Sequence, residues 1–251
     1  MELYLRKAKI IDDTISEKIL EGLSLKLNEK KLIIFDFDGT LIDSVPDLAA
    51  SVNFMLRKLN RKLYSDDEIR EWVGNGAQTL VKRALTGKKD FQEEEVNKNL
   101  YEQGLPIFLE SYEEKLCEHT YLYEGVKETL EDLRQRGYKM AIVTNKPYKF
   151  ILPILEALGI EKYFELLLGA DSLKTKKPSP EPLLHAMNHF ECNEKECVMV
   201  GDSKNDILAA NNANMHSIAV SYGYNYGEDI SKHNPSIVIE NFADLIKHLD
   251  V

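Results

Sequence analysis

Two aspartates, Asp36 and Asp38, follow an apolar run and are the first residues in the chain arranged like a reactive site. The run Leu32–Phe35 is typical of a buried strand. Residues two apart in an extended chain project to the same side, so the two carboxylates should converge. Converging carboxylates repel each other unless a cation lies between them. The motif Asp36–Thr40 therefore predicts a Mg²⁺ site with an aspartate nucleophile, rather than a turn with solvated acids.

Two later strand-like runs are followed by groups that could bind an anion. Thr144 and Asn145 carry a hydroxyl and an amide suited to phosphate oxygens, although a helix cap before Pro147 would use the same residue types. In the loop Lys174–Pro180 we expect Lys177 to meet the anion, because the neighbouring prolines stiffen the chain there. The other two lysines of that loop, Lys174 and Lys176, are better explained as solvent-exposed charges.

A second pair of aspartates, Asp202 and Asp206, follows the apolar run Val198–Val200. Asp202 lies at the strand end and could ligate a metal. Asp206, one helical turn later, could orient the site or reach the metal through water. Capping of a helix N-terminus would explain this pair in isolation. Four polar strand ends in one chain favour a shared site.

The elements that must position these residues change character along the chain. Residues 46–119 have helical periodicity without a convincing strand, and we interpret them as a small all-helical cap that controls access of water. From residue 120 onward helices alternate with strands, which predicts an α/β fold with a doubly wound parallel sheet and a Rossmann-like core. Ligands bind such sheets at the carboxyl ends of the strands. We therefore predict a catalytic core of residues 31–45 and 120–251, with the cap inserted after its first strand.

Capping and helix-breaking residues predict several element boundaries. Ser65–Glu68 has the pattern of a capping box. A long helix is expected over Gln92–Cys117, broken or bent around Gly104–Pro106. A closing helix is expected at Phe242–Leu249, after the last short strand.

Residues 1–30 are an extension with no visible chemistry. Apolar residues recur there every four positions, which predicts an amphipathic helix over Asp12–Gly22. Such a helix could pack on the domain surface, or it could form a dimerisation or partner-binding arm.

Composition narrows the choice of partners and location. The chain has 251 residues and a formal net charge of −10, so we expect neither a nucleic-acid nor an anionic-membrane partner. Its three cysteines are expected to be free thiols in a reducing cytoplasm. No apolar run approaches the roughly 20 residues of a membrane span, and no signal-peptide pattern is present. We expect a cytoplasmic monomer or homodimer, and the phosphate-binding groups at the strand ends, not the composition, indicate a small phosphorylated metabolite as its ligand.

Four motifs, taken in chain order, resemble those of the haloacid dehalogenase-like hydrolase superfamily: Asp36–Leu41, Thr144-Asn145, Lys177-Pro178 and Gly201–Asp206. The helical insert resembles the small cap of that superfamily. Loops such as Trp72–Ala77 and Tyr222–Gly227 are similar to those of bacterial phosphoglycolate phosphatases. The resemblance covers about residues 31–250. Asn214 stands where relatives usually have glycine, and asparagine should preserve a left-handed turn there.

The resemblance implies hydrolysis of a phosphate monoester through an aspartyl-phosphate. Asp36 would attack phosphorus, and Asp38 would protonate the leaving group and then activate water. Mg²⁺ would be held by Asp36, the backbone carbonyl of Asp38 and Asp202, with Asp206 behind them. An acid at position 38 favours a phosphatase over a dehalogenase, because halide leaves without a proton.

The remaining motif residues are assigned to the phosphate and to the rest of the substrate. Thr144, Asn145 and Lys177 would bind phosphate oxygens, and Lys177 would also restrain the nucleophile. With 2-phosphoglycolate as substrate, Asn75 and Gly76 could bring backbone N–H groups to its carboxylate, or could simply form an interhelical turn. The alternatives are another small-cap phosphatase, a pyrophosphatase, a phosphoglucomutase, or a non-catalytic module that binds a phosphorylated ligand.

Overall fold

The computed structural model describes residue 27 and residues 29–249 of the chain. The helix predicted at Asp12–Gly22 lies outside these described residues, so that prediction is not tested. Within the described part of the chain, no helix combines the length and the apolar character that a bilayer crossing requires.

Eight strands are present in the described residues. In chain order they are β1 (Leu32–Phe35), β2 (Ile42–Asp43), β3 (Tyr121–Leu122), β4 (Lys139–Val143), β5 (Leu166–Leu168), β6 (Cys197–Gly201), β7 (His216–Val220) and β8 (Ile237–Ile239). Six of them form one sheet in the order β5-β4-β1-β6-β7-β8, and every neighbouring pair is parallel. The predicted doubly wound parallel sheet is therefore confirmed.

Strand β1 lies in the middle of the sheet and is buried on both faces. Leu32 and Ile34 pack into one hydrophobic cluster, and Ile33 and Phe35 pack into the other. This alternation follows from the two-residue period of a strand. It explains why the run is apolar throughout rather than alternately apolar and polar.

Eight α-helices surround or precede the sheet in the described residues. They are α1 (Val45–Lys58), α2 (Asp66–Arg70), α3 (Ala77–Thr86), α4 (Lys98–Glu114), α5 (Val126–Gln135), α6 (Ile151–Leu158), α7 (Glu181–His189) and α8 (Lys204–Asn212). The first four form an uninterrupted helical block in which α1 and α3 pack on α4. The capping box predicted at Ser65–Glu68 is present at the start of α2. The division into core and cap at residues 46 and 119 stays a prediction.

Two local predictions are changed by the structure, and a third difference is an element that was not predicted. Helix α4 starts only at Lys98, after a 3₁₀ turn at Glu93–Glu95, and it runs unbroken through Pro106. Gly104, two residues before the proline, lets α4 lie close to α1, because a Cβ there would lie 3.0 Å from Met55 Sδ.

The closing segment is the second difference, since Phe242–His248 forms a 3₁₀ helix rather than an α-helix. Its buried residues Phe242 and Leu245 are three apart, which matches the three-residue turn of a 3₁₀ helix. The third difference is the antiparallel ribbon β2–β3, whose strands of two residues are too short for a periodic pattern. Asn214 has φ of 54°, as expected for a left-handed turn.

Candidate active site

The parallel sheet brings the predicted site residues to one edge. Asp36 follows β1, and its backbone N–H donates to the carbonyl of Val200 at 2.9 Å, which extends the pairing of β1 with β6. The backbone N–H of Thr144, after β4, donates to Leu168 in the same way at 2.9 Å. Because β1 lies between β4 and β6, the residues following these three strands are neighbours.

Three buried carboxylates form the centre of this site. Asp36, Asp202 and Asp206 each offer an oxygen, and these oxygens all lie within 4.8 Å of one another. The side chains of Asp36 and Asp202 were predicted as metal ligands, and Asp206 was predicted to lie behind them. The structure brings all three together.

Lys177 lies against this cluster. Its Nζ is 2.9 Å from Asp36 Oδ1 and 2.6 Å from Asp206 Oδ1, and only 1% of its side chain is exposed. Lys176 is half-buried and Lys174 is exposed, so Lys177 is the one of the three lysines that reaches the site. Burial would lower the pKa of Lys177, but Asp206 and Asp36 raise it on balance, which keeps the ammonium charged.

The charges of this cluster fit a divalent cation. Three carboxylates and one ammonium leave two uncompensated negative charges in a buried place, and oxygen is the ligand that Mg²⁺ prefers. Asp202 is already oriented, because its Oδ1 accepts from Thr40 Oγ1 at 2.7 Å and its Oδ2 accepts from the Tyr224 N–H at 2.6 Å. A Cβ at Gly39 would lie 2.3 Å from Asp202 Oδ2, so only glycine allows this approach.

The carboxylate of Asp38 is not part of the three-carboxylate cluster, so its predicted convergence with Asp36 on one cation is not found. Its Oδ1 accepts from Ser44 Oγ at 2.6 Å, and Lys146 Nζ lies 2.9 Å from Oδ1 and 3.1 Å from Oδ2. Asp36 and Asp38 both line one cavity, between the strand ends and the helical block. The two aspartates of the motif thus have different partners, which suits two different chemical roles.

Thr144 and Asn145 both line this cavity, but the side-chain amide of Asn145 is already hydrogen-bonded within the protein. Asn145 Nδ2 donates to the carbonyls of Gly74 and Lys177, each at 3.1 Å. Both amide hydrogens are thereby used to join the turn before α3 to the loop of Lys177. Contact between the Asn145 amide and a phosphate oxygen would require one of these bonds to open.

The turn Gly74–Gly76 lies over the site. Lys176 Nζ donates to the carbonyl of Asn75 at 2.7 Å, and Asn205 Nδ2 donates to the carbonyl of Gly74 at 3.2 Å. Gly76 lines the cavity, whereas Asn75 is not among its lining residues in the described part of the chain. The turn is thus held to the sheet edge through its carbonyl groups.

Sequence reasoning missed three residues around Asp38, namely Ser44, Lys146 and Tyr112. Lys146 immediately follows the Thr144-Asn145 motif, and the loop Val143–Pro147 that contains it is similar to those of bacterial phosphoglycolate phosphatases, but no role was assigned to it. Tyr112 lies within α4, where it carries the pattern of a buried helix face and no sign of chemistry. Tyr112 OH is 2.8 Å from Lys146 Nζ, and both residues line the cavity.

Burial and mutual repulsion shift the acidity of the carboxylates. Burial raises the pKa of Asp36 to about 7, and Asp206 adds to the rise while Lys177 opposes it. Burial, together with the charges of Asp206 and Asp36, also raises the pKa of Asp202 well above its usual value. A cation bound among them would remove the repulsion that causes part of these shifts.

We therefore expect the protein without a divalent cation to lose stability as the pH rises. The pKa of Asp36 is about 7 in the folded protein, and its ordinary value, taken for the unfolded chain, is 3.8. Between these two pH values the folded state binds more protons than the unfolded state, so the free energy of unfolding falls as the pH rises. Bound Mg²⁺ should oppose this loss. In thermal unfolding it should raise the melting temperature more at about pH 8 than at about pH 5, by roughly 2–4 °C for each kcal/mol of stabilisation.

The control for this experiment is Asp202→Asn, which removes one carboxylate of the cluster while keeping its shape. In this variant the gain from Mg²⁺ at the higher pH should shrink. An equal gain at both pH values, unchanged in the variant, would contradict a cation site at these three residues.

Comparisons with known proteins show the family of this chain. The family model described as haloacid dehalogenase-like hydrolase matches residues 33–220. The chain is 48% identical over 222 residues to a phosphoglycolate phosphatase of Colwellia psychrerythraea, covering 88% of this chain and 98% of the relative. It is also 48% identical over 221 residues to a phosphoglycolate phosphatase of Psychrobacter arcticus, covering 88% and 96%.

Among solved structures, the chain is similar to the crystal structure of a predicted phosphoglycolate phosphatase from Haemophilus somnus 129PT. The TM-score is 0.80 and the identity 41%, over 87% of this chain and 97% of the other. The fold, the motifs at its strand ends and these matches lead to the same conclusion. The chain belongs to the haloacid dehalogenase-like hydrolase family.

Proposed function

We propose that this chain is a Mg²⁺-dependent hydrolase that cleaves 2-phosphoglycolate to glycolate and phosphate through an aspartyl-phosphate on Asp36. The observation that carries this proposal is the arrangement of the two motif aspartates around one cavity, with Asp36 against Lys177 and Asp38 against Ser44 and Lys146. The family and the names of the curated relatives support a phosphoric monoester hydrolase, and those names motivate the choice of substrate.

In the first step, an Asp36 oxygen would form a bond to phosphorus while the bond from phosphorus to the ester oxygen breaks. The Phe37 N–H, 2.7 Å from Asp36 Oδ1, and Lys177 restrain this carboxylate, so it need not reorganise during the attack. Asp38 would give its proton to the departing oxygen. The Thr144 hydroxyl and Lys177 would contact the phosphoryl oxygens.

In the second step, Asp38 would remove a proton from a water molecule that attacks the phosphorus of the aspartyl-phosphate. The bond from phosphorus to Asp36 breaks, phosphate leaves, and the Asp36 carboxylate is restored. Ser44 and Lys146 hold Asp38 in one place through both steps. One residue thereby acts first as an acid and then as a base.

Asp36, Asp202 and the backbone carbonyl of Asp38 would hold Mg²⁺, and Asp206 lies close enough to support it. When bound, the ion would neutralise charge on the phosphoryl group and reduce its repulsion from Asp36. The same residues place Lys177 beside the nucleophile, so the chain itself supplies one further positive charge.

The size of the cavity supports a small substrate. Its volume is only about 40 Å³. Much of its wall is apolar, formed by Leu48, Val73, Leu80, Phe108 and Phe150. With the helical block in this position, a glycolate-sized leaving group is favoured over a hexose.

A panel of phosphate esters tests this function. We expect kcat/KM for 2-phosphoglycolate to exceed that for glucose 6-phosphate by about 100-fold or more, because a hexose needs the helical block displaced. EDTA should abolish turnover, and added Mg²⁺ should restore it. Phosphate release in initial-rate assays measures both effects.

Two other outcomes would contradict the proposal in different ways. A preference for hexose phosphates or pyrophosphate would contradict the substrate and favour another small-cap member of the family. No turnover of any ester with Mg²⁺ would favour a module that only binds a phosphorylated ligand. Cytoplasmic location and a monomeric or dimeric state stay predictions.

A further inference from the structure

Lys146 is a buried cation at the wall of the active-site cavity. Its side chain is only 2% exposed, and among the cavity-lining residues in the described part of the chain it is the only one with a positive charge. Lys177, which serves the phosphate side, does not line this cavity. The ammonium of Lys146 is therefore placed to meet something other than the phosphoryl group.

The geometry points to Lys146, with Tyr112, as the receptor for a carboxylate on the leaving group, so that the enzyme selects phosphate esters of small 2-hydroxy acids. This inference rests on the proposed function, since it takes Asp38 as the proton donor to the leaving oxygen. Lys146 Nζ is 2.9 Å from Asp38 Oδ1. In such an ester the carboxylate carbon is joined to the ester oxygen through one carbon. A leaving oxygen at Asp38 thus brings that carboxylate close to Lys146.

The hydrogen-bonding groups of the pair suit a carboxylate. An ammonium has three N–H donors, and Lys146 contacts both carboxylate oxygens of Asp38 and the Tyr112 hydroxyl. Once Asp38 carries the proton it is to donate, one of its two contacts can open and that N–H can turn to a substrate carboxylate. Tyr112 OH accepts from Lys146 at 2.8 Å, which leaves its own hydrogen to donate to a second acceptor. Two donors from different elements could thus converge on one anionic group.

Tyr112 is held rigidly for this purpose. Its ring stacks on Phe108 with centroids 6.0 Å apart, and it meets Phe150 edge-on at 5.0 Å. Fixed donors recognise a ligand with little loss of conformational freedom. Since Tyr112 belongs to α4, the receptor is complete only when the helical block lies over the strand ends as it does here.

The apolar walls make Lys146 decisive for selection. A carboxylate buried against Leu48, Val73 and Leu80 without a partner would lose its hydration at a high cost. Beside an ammonium and a hydroxyl donor the same group is stabilised by charge-assisted hydrogen bonds. An ester with a neutral leaving group would instead leave part of this donor set unused.

A simpler role for Lys146 is to hold Asp38 alone, and the two roles predict different kinetics. Holding Asp38 affects every substrate that needs its proton, whereas binding a carboxylate affects only esters that carry one. The ratio of kcat/KM for 2-phosphoglycolate to that for 2-hydroxyethyl phosphate separates them, because the second ester replaces the carboxylate by a hydroxymethyl group.

The test compares this ratio in the wild type and in Lys146→Met, with Mg²⁺ present. We expect a wild-type ratio of about 100 or more, and a fall of at least about tenfold in the variant. Tyr112→Phe keeps the ring packing and should lower the ratio several-fold, as expected for one hydrogen bond. Lys149→Met is the matched control, because Lys149 is a half-exposed lysine that pairs with Glu113 of α4, and its ratio should equal that of the wild type.

A ratio that Lys146→Met leaves unchanged while both rates fall would overturn the inference and assign Lys146 to positioning of Asp38. If Lys146→Met is too slow to measure or fails to fold, Tyr112→Phe decides, and an unchanged ratio there overturns the inference as well. A wild type that hydrolyses neither ester would overturn the proposed function, and this inference with it. A wild type that prefers 2-phosphoglycolate, with variants that keep the preference, would overturn this inference alone.

Discussion

Asp36→Asn should abolish hydrolysis of 2-phosphoglycolate, with kcat falling roughly 10⁴- to 10⁶-fold. An amide has nearly the same shape as a carboxylate but cannot attack phosphorus. The variant should fold, because Lys177 keeps its 2.6 Å contact with Asp206 and one member of a mutually repelling cluster is neutralised. Initial rates with saturating Mg²⁺ and a thermal unfolding curve measure the two effects.

The control for this variant is Asp132→Asn, which changes a half-exposed aspartate of α5 that pairs with Arg136, far along the chain from the motif. It should retain the wild-type rate. Turnover by Asp36→Asn that increases in proportion to the amount of purified variant would contradict a nucleophilic role for Asp36.

Asp38→Asn should lower kcat by about 10²- to 10⁴-fold for 2-phosphoglycolate, because the leaving alkoxide then departs without its proton donor. The first step with 4-nitrophenyl phosphate should suffer much less, since nitrophenolate is stable without a proton. Rapid-mixing measurements of nitrophenolate release and steady-state phosphate release together separate this step from the later attack of water.

Ser44→Ala tests the role of Asp38 by a smaller change, because it keeps the Asp38 carboxylate and removes only the 2.6 Å hydrogen bond that Ser44 donates to it. Its loss of rate should be about tenfold or less, in line with about 1 kcal/mol for one hydrogen bond. If Asp38→Asn slowed release of alkoxide and nitrophenolate equally, Asp38 would not be the acid.

Much of the fold and part of the site could be predicted from short-range patterns. The apolar run before Asp36, and the alternation of helices and strands after residue 120, were enough to predict the parallel sheet, which is confirmed. A parallel sheet gathers the residues that follow its strands, so Asp36 and Asp202 could be expected to meet although 166 positions separate them. The resemblance to the haloacid dehalogenase-like hydrolases is confirmed by the family match.

The parts that could not be predicted depend on contacts between the helical block and the sheet. Nothing local to Lys146 or Tyr112 shows that they lie 2.8 Å apart, because that distance is set by the packing of α4 over the strand ends. The same holds for Asn145, whose bond to the Gly74 carbonyl depends on where the helical block lies. Periodicity describes one element at a time and carries no information about such approaches.

The local errors have a similar origin. Pro106 has the properties of a helix breaker, yet α4 continues through it while packed against α1. The segment Phe242–His248 looks like an α-helix by its apolar spacing, but its buried residues also fit the tighter 3₁₀ turn. In both cases tertiary packing decides between conformations that the sequence leaves close in energy.

The central claim is that phosphate passes through a covalent bond to Asp36, and the most direct measurement looks for that bond. Asp38→Asn, mixed with 4-nitrophenyl phosphate and Mg²⁺ and then quenched in acid, should gain the mass of one phosphoryl group, because nitrophenolate leaves without a proton donor while the base that activates water is missing. Peptide mapping should place the group on Asp36, and hydroxylamine should remove it. Turnover with no phosphoryl group at any quench time, or a phosphoryl group on another residue, would contradict the mechanism.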